Sequence, residues 1–138
     1  MRPLQRQAGG FSLIEALVAI FIFSIGILAL IALQVTSVRQ STNAKYRSEA
    51  ALLANRVIGE MWVTDRVTAN LQTSYNTGGA SYNTWNAAVQ ATLPASAASA
   101  PTIAVAADGQ VTVNLYWKAP NEAAADPQHQ YTAIARIR

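Results

Sequence analysis

No cysteine occurs anywhere in the sequence. Disulfides, thiol catalysis and cysteine-ligated metals are therefore excluded, and a small domain without such staples must be held by packing and by neighbours. Histidine is nearly as scarce: His129 stands alone in a Pro/Gln stretch and reads as a solvated loop residue. Charge is thin, at 12% of residues. The formal net charge is +3, and it drops to +1 once Arg2 and Arg6 are set aside. No clustered basic face of the kind nucleic-acid binding needs is left. Asp65, Asp108, Glu122 and Asp126 lack metal-ligand spacing, and Gly78-Gly79 lacks the lysine and following helix of a phosphate loop. No nucleophile–base pair can be assembled. Neither a catalytic site nor a metal or cofactor is expected.

Against that sparse background one stretch stands out. From Ala16 to Leu33 there is no charge, and only Ser24 and Gly26 interrupt the hydrocarbon. A run of about 18 or more such residues is long enough to cross a bilayer as a helix. A single carboxylate, Glu15, sits at its N-terminal end, behind a short basic segment, Met1 to Gly10, that carries Arg2 and Arg6 and no acid.

Three readings compete for this segment. A secretory signal has an apolar region of roughly 7–15 residues followed by a small-residue cleavage site; this run is longer, and Gln34-Val35-Thr36-Ser37 offers no such site. A plain single-pass anchor would let Glu15 snorkel toward the head groups. In the third reading the chain is cut between Gly10 and Phe11, creating an ammonium four residues before Glu15. A carboxylate in a low-dielectric setting is costly unless paired, and an ammonium on a neighbouring helix would neutralise it and select one axial register. That is assembly chemistry rather than catalysis.

Gly10-Phe11-Ser12-Leu13-Ile14-Glu15 resembles the processing motif of type IV prepilins and of the related type II secretion pseudopilins. The longer stretch GFSLIEALVAIFIFSIGILALIALQ resembles the N-terminus of PilV-type minor pilins, including Ser24-Ile25-Gly26 and Leu33-Gln34. Later pieces are loosely similar: Ala51 to Ala54, Trp85 with Leu93-Pro94, and a strand ending at Trp117. The resemblance implies that a prepilin peptidase cuts after Gly10 and methylates the amine of Phe11, and that Glu15 docks the subunit against other major and minor pilins. It also implies a precursor in the inner membrane with its head in the periplasm, and later a place in the pilus. Residues 1–10 would be the leader, 11–33 the membrane and assembly half of a helix, and 34–138 the head.

After the run the apolar period becomes that of an amphipathic helix. Tyr46, Ala50, Leu53, Val57 and Met61 recur every three or four positions, with Arg47, Glu49, Arg56 and Glu60 between them. The spacing predicts one helix from about Phe11 to Val63 or as far as Leu71, with no proline to kink it and Gly26 as its soft point. Glu60 lies within reach of Arg56 and Thr64. Residues Thr73 to Asn83, rich in Asn, Thr, Ser and Gly, read as a loop bracketed by Tyr75 and Tyr82. Asn83 reads as the N-cap of a short helix from Thr84 to Leu93, stopped by Pro94, with Trp85, Val89 and Leu93 on its core face. Residues 95–101 read as flexible.

Then the period switches to two. Thr102–Ala107 and Gln110–Trp117 flank Asp108-Gly109, a strong hairpin signal read as a two-residue turn. Val111, Val113, Leu115 and Trp117 should face the helix. Lys118 to Gln128 reads as a loop, and Gln130 to Ile137 as a third strand. Helix first and strands last gives an α+β fold, pilin-like, with a long N-terminal helix packed against an antiparallel sheet of about three strands. The function this favours is a structural minor pilin, not an enzyme. The alternatives are a minor pseudopilin, or a membrane-anchored adhesin or DNA-binding display module, for which Tyr75, Tyr82 and Tyr116 are the only surface hints.

Overall fold

The computed structural model describes residues 11–64 and 66–137, apart from the Phe11 side chain. Residues 1–10, expected to be a leader and ending in Gly10, lie outside the described residues, as do Asp65 and Arg138. The fold is α+β and pilin-like. Helix α1 (Phe11–Thr64) is followed by α2 (Thr68–Tyr75), α3 (Ala80–Thr92) and strands β1 (Thr102–Val105), β2 (Gln110–Trp117) and β3 (His129–Arg136). The strands form one antiparallel sheet in the order β1-β2-β3. The chain divides into two units, Met1–Gln40 and Ser41–Arg138.

Helix α1 runs without interruption through Gly26 and Gly59. In the second unit its apolar stripe becomes core: Ala50, Leu53, Ala54, Val57 and Met61 are all buried. They join Val111, Val113, Leu115 and Trp117 of β2 in one cluster, as the alternation of that strand requires. Burying each of the Leu, Val and Met side chains contributes roughly 1.5–3 kcal/mol, and each alanine methyl less. Arg56 Nε meets Glu60 Oε1 at 3.1 Å on the exposed side, where such a pair is worth little. Thr64 Oγ1 donates to the Glu60 carbonyl at 2.7 Å. The helix ends there, at a run of β-branched residues with low helix propensity.

The segment expected to be a loop from Thr73 to Asn83 is mostly helix. Helix α2 places Leu71 and Tyr75 in the core, and only Asn76 to Gly79 connect it to α3. Leu71 and Tyr75 stand at i and i+4, which fixes one apolar helical face despite the polar composition around it. Helix α3 also starts earlier than expected. Its N-cap is Gly79, whose carbonyl accepts from Asn83 N at 2.9 Å, so Asn83 lies inside the first turns rather than capping them. A side chain at 79 would run into the backbone carbonyl of Ser74, and glycine is the residue that allows that approach. Trp85 is 4% exposed, and its Nε1 donates to the Leu53 carbonyl at 3.0 Å, locking α3 onto α1. Tyr82 donates its hydroxyl to the Pro101 carbonyl at 2.7 Å.

Residues 95–101, expected to be flexible, form turns in which Ala95, Ala97, Ala98 and Ala100 are exposed and two residues reach the core. Ser96 and Pro101 are buried, and Ser96 Oγ donates to the Leu93 carbonyl at 2.8 Å. The hairpin differs from the expectation by one residue. Ala106 N donates to Gln110 O and Gly109 N to Ala106 O, with Gly109 at φ +79°. That is a type I turn closed by a left-handed glycine, the three-residue alternative to the two-residue loop. Asp108 still serves the turn, accepting from Gln110 N at 3.1 Å and pairing with Arg136 at 2.8 Å.

Candidate functional site

Among the described residues, the apolar half of α1 and a recess beside the start of β3 are the places to weigh for function. In the first unit every described side chain from Ser12 to Gln40 is exposed. The eighteen residues from Ala16 to Leu33 rise roughly 27 Å along the helix axis, close to the roughly 30 Å of a bilayer's hydrocarbon. By length and composition this helix can cross a membrane. Two of its hydroxyls bond back to the helix: Ser24 Oγ donates to Ile20 O at 2.7 Å and Thr36 Oγ1 to Ala32 O at 3.1 Å. Backbone polar groups in a helix are likewise paired, as an apolar medium demands. Glu15 is the sole carboxylate between Phe11 and Gln40, on an exposed face of the rod. Phe11 opens the helix, and Gly10 lies outside the described residues.

The recess has a volume of about 300 Å³ and is lined by Asn43, Ala44, Arg47, Trp117, His129 and Gln130. His129 is not the solvated loop residue expected from the sequence. It opens β3, its ring stacks on Trp117 at 5.6 Å, and its Nε2 lies 2.6 Å from Glu122 Oε1. Glu122 is the hub. It also accepts from Asn43 Nδ2 at 3.2 Å and from Ala119 N at 3.0 Å, with its side chain 11% exposed. Lys118 Nζ holds the same loop through the carbonyls of Ala124 and Asp126. Asn43 and Glu122 are 79 positions apart, so no local sequence signal pointed to the cluster. Among the described residues no group of three or more potential metal ligands occurs. The cluster clamps a loop and has no nucleophile.

The His129 hydrogen bond is the main reason the Glu122 carboxyl is held below its ordinary value; the bonds from Ala119 and Asn43 add to it, and burial opposes it. A depressed carboxylate stabilises the fold above its unfolded value, here about 4.5, and loses that contribution as the pH falls through the folded value. Glu122→Gln is therefore expected to weaken the second unit by about 2 kcal/mol near neutrality. The gap to the parent should close in acid, below the ordinary carboxylate value. Thermal unfolding of both proteins across that range measures it.

The tyrosines that hinted at a display surface are mostly inside. Tyr75 and Tyr82 are buried, burial raises the Tyr82 phenol's pKa, and Tyr116 is half-buried on β2. No exposed aromatic patch of these three exists.

Residues 5–31 match the family model described as the prokaryotic N-terminal methylation motif. No curated protein and no solved structure matches the chain. The matched segment spans Gly10, Phe11, Glu15 and most of the apolar run. It supports a type IV pilin-like or pseudopilin protein, and the family that carries this motif is structural rather than enzymatic. It implies processing by prepilin peptidase and packing among pilin helices, and it fits a membrane-anchored precursor.

Proposed function

We propose that the chain is a structural minor pilin of the PilV type, held in the inner membrane as a precursor and then built into, or priming, a type IV pilus. Residues 1–10 are the leader, 11–33 the membrane and assembly half of α1, and 34–138 the head, which faces the periplasm. Prepilin peptidase cuts between Gly10 and Phe11 and methylates the new amine. In the fibre, apolar helices exchange lipid for one another, and Glu15 pairs with the Phe11 ammonium of a neighbouring subunit to fix the register. The match of residues 5–31 to the methylation motif carries this reading. Its support is the rod in which Glu15 is the lone acid.

Gly10→Val tests the processing step. A β-branched side chain at the cleavage position should block leader removal, so the variant should accumulate at full length while the parent loses its first ten residues. Equal processing of both would contradict the proposal.

A further inference from the structure

Among the described residues two buried side-chain atoms, Asn43 Oδ1 and Trp117 Nε1, have no hydrogen-bond partner. Both belong to side chains that line the same recess of about 300 Å³ at the start of β3. Depth there follows exposure: Ala44, Arg47 and Gln130 are exposed at the mouth, Asn43 and His129 are half-buried, and Trp117 is buried. Turning the amide over does not remove the problem. The Glu122 carboxylate only accepts, so Asn43 must present Nδ2 to it, at 3.2 Å, and its carbonyl oxygen is left over. The indole has one donor and no acceptor. Such unanswered groups are rare in folded proteins.

The groups around the recess define what would answer them. Trp117 Nε1 needs an acceptor and Asn43 Oδ1 a donor. Arg47 adds an unanswered charge: among the described residues its guanidinium has no ion-pair partner. The Glu122 oxygens, in contrast, are taken up by His129, Asn43 and Ala119 N. A guanidinium and an N–H donor around one recess suit a carboxylate, and an amide N–H next to that carboxylate would satisfy Asn43. A sugar or aromatic ring fits less well. Trp117 is 2% exposed with His129 stacked on it at 5.6 Å, so it offers an N–H edge and no free face. A single water would answer the two orphans but leave the arginine and most of the volume unused.

We infer that the recess binds the C-terminal end of another polypeptide, its carboxylate on Arg47 and Trp117 Nε1 and the N–H of its last residue on Asn43 Oδ1. β3 opens at the recess and runs away from it, and Ile137 is tied to Gly109 at the other end of the strand, so the described chain does not fill it. Arg47 and Gln130 at the mouth are long and exposed, and they admit the ligand by rotamer changes. The volume is at the lower end of pockets that take small organic ligands, which suits the end of a peptide rather than a folded domain. The site does not depend on leader processing, so its failure leaves the pilin reading untouched.

The probe is acetyl-trialanine with a free carboxylate, added to the full-length protein in non-ionic detergent micelles. The sequence has three tryptophans, so the indole N–H signals in a nitrogen–proton NMR spectrum are few. Trp62→Phe and Trp85→Phe assign the Trp117 signal by elimination. The peptide should shift that signal saturably and leave the other two in place. Acetyl-trialanine amide, which has no charge, should bind at least about tenfold more weakly. So should the acid with its last nitrogen methylated, which has no N–H for Asn43. Arg47→Gln should weaken the acid to the level of the amide and leave thermal unfolding unchanged, since that side chain is exposed and unpaired. The inference is overturned if no saturable shift occurs, in which case water alone answers the pair. Binding of the amide or the methylated peptide as tight as that of the acid, or undiminished binding to Arg47→Gln, overturns it equally.

Discussion

Glu15→Ala is expected to leave the precursor in the membrane and to remove the protein from sheared fibres. Glu15 is the one ionisable side chain between Phe11 and Val38. In lipid it reaches toward the head groups with its neighbours; among packed helices it must be paired. Removing one member of a buried ion pair typically costs about 3–5 kcal/mol, because the other charge is left uncompensated. That corresponds to a loss of incorporation of roughly a hundredfold or more. Glu15→Gln separates charge from size. If it is lost from fibres like the alanine variant, the charge sets the register; if it is recovered at the parent's level, ion pairing does not. Membrane fractions and sheared fibres, blotted side by side, give the readout.

Trp85→Ala should be the most damaging single change in the second unit. Removing a buried tryptophan costs about 3–5 kcal/mol through lost burial and an unfilled cavity. The indole also carries the bond to the Leu53 carbonyl and packs against Tyr82 with ring centroids 6.1 Å apart. Whole-domain stabilities are about 5–15 kcal/mol, so this loss is a large share. Trp85→Phe keeps most of the volume and gives up the hydrogen bond, which is worth about 1 kcal/mol. Denaturant unfolding of the three proteins should rank them parent, Phe, Ala. If the two variants lost equal stability, the bond rather than the packing would be what locks α3 to α1.

What the sequence disclosed, and what it hid, follows from the range of the interactions. The apolar run, the helical stripe from Ala50 to Met61 and the alternation of β2 are periodic, and period alone fixes which face is buried. Trp85, Val89 and Leu93 could be placed in the core for the same reason. Helix α2 was hidden because Thr, Asn, Gln and Ser surround its two core residues, and composition argued for a loop against the i, i+4 spacing of Leu71 and Tyr75. Asn83 has the chemistry of an N-cap, but Gly79 was needed where the chain passes the Ser74 carbonyl, and the helix starts there instead. At the hairpin, Asp-Gly gave the place but not the loop length, since the same dipeptide fits either closure. The Glu122 cluster draws on α1, β2, β3 and the loop between the strands. Nothing local in any of those segments announces it. For the rod the relation reverses: the methylation motif is read entirely from residues 5–31.

The measurement closest to the central claim is the mass of the N-terminal peptide of the protein taken from its host membrane. Processing at the motif predicts a chain that begins at Phe11 with one added methyl group on its amine. A peptide that retains Met1, or one that begins near Gln34, would contradict it.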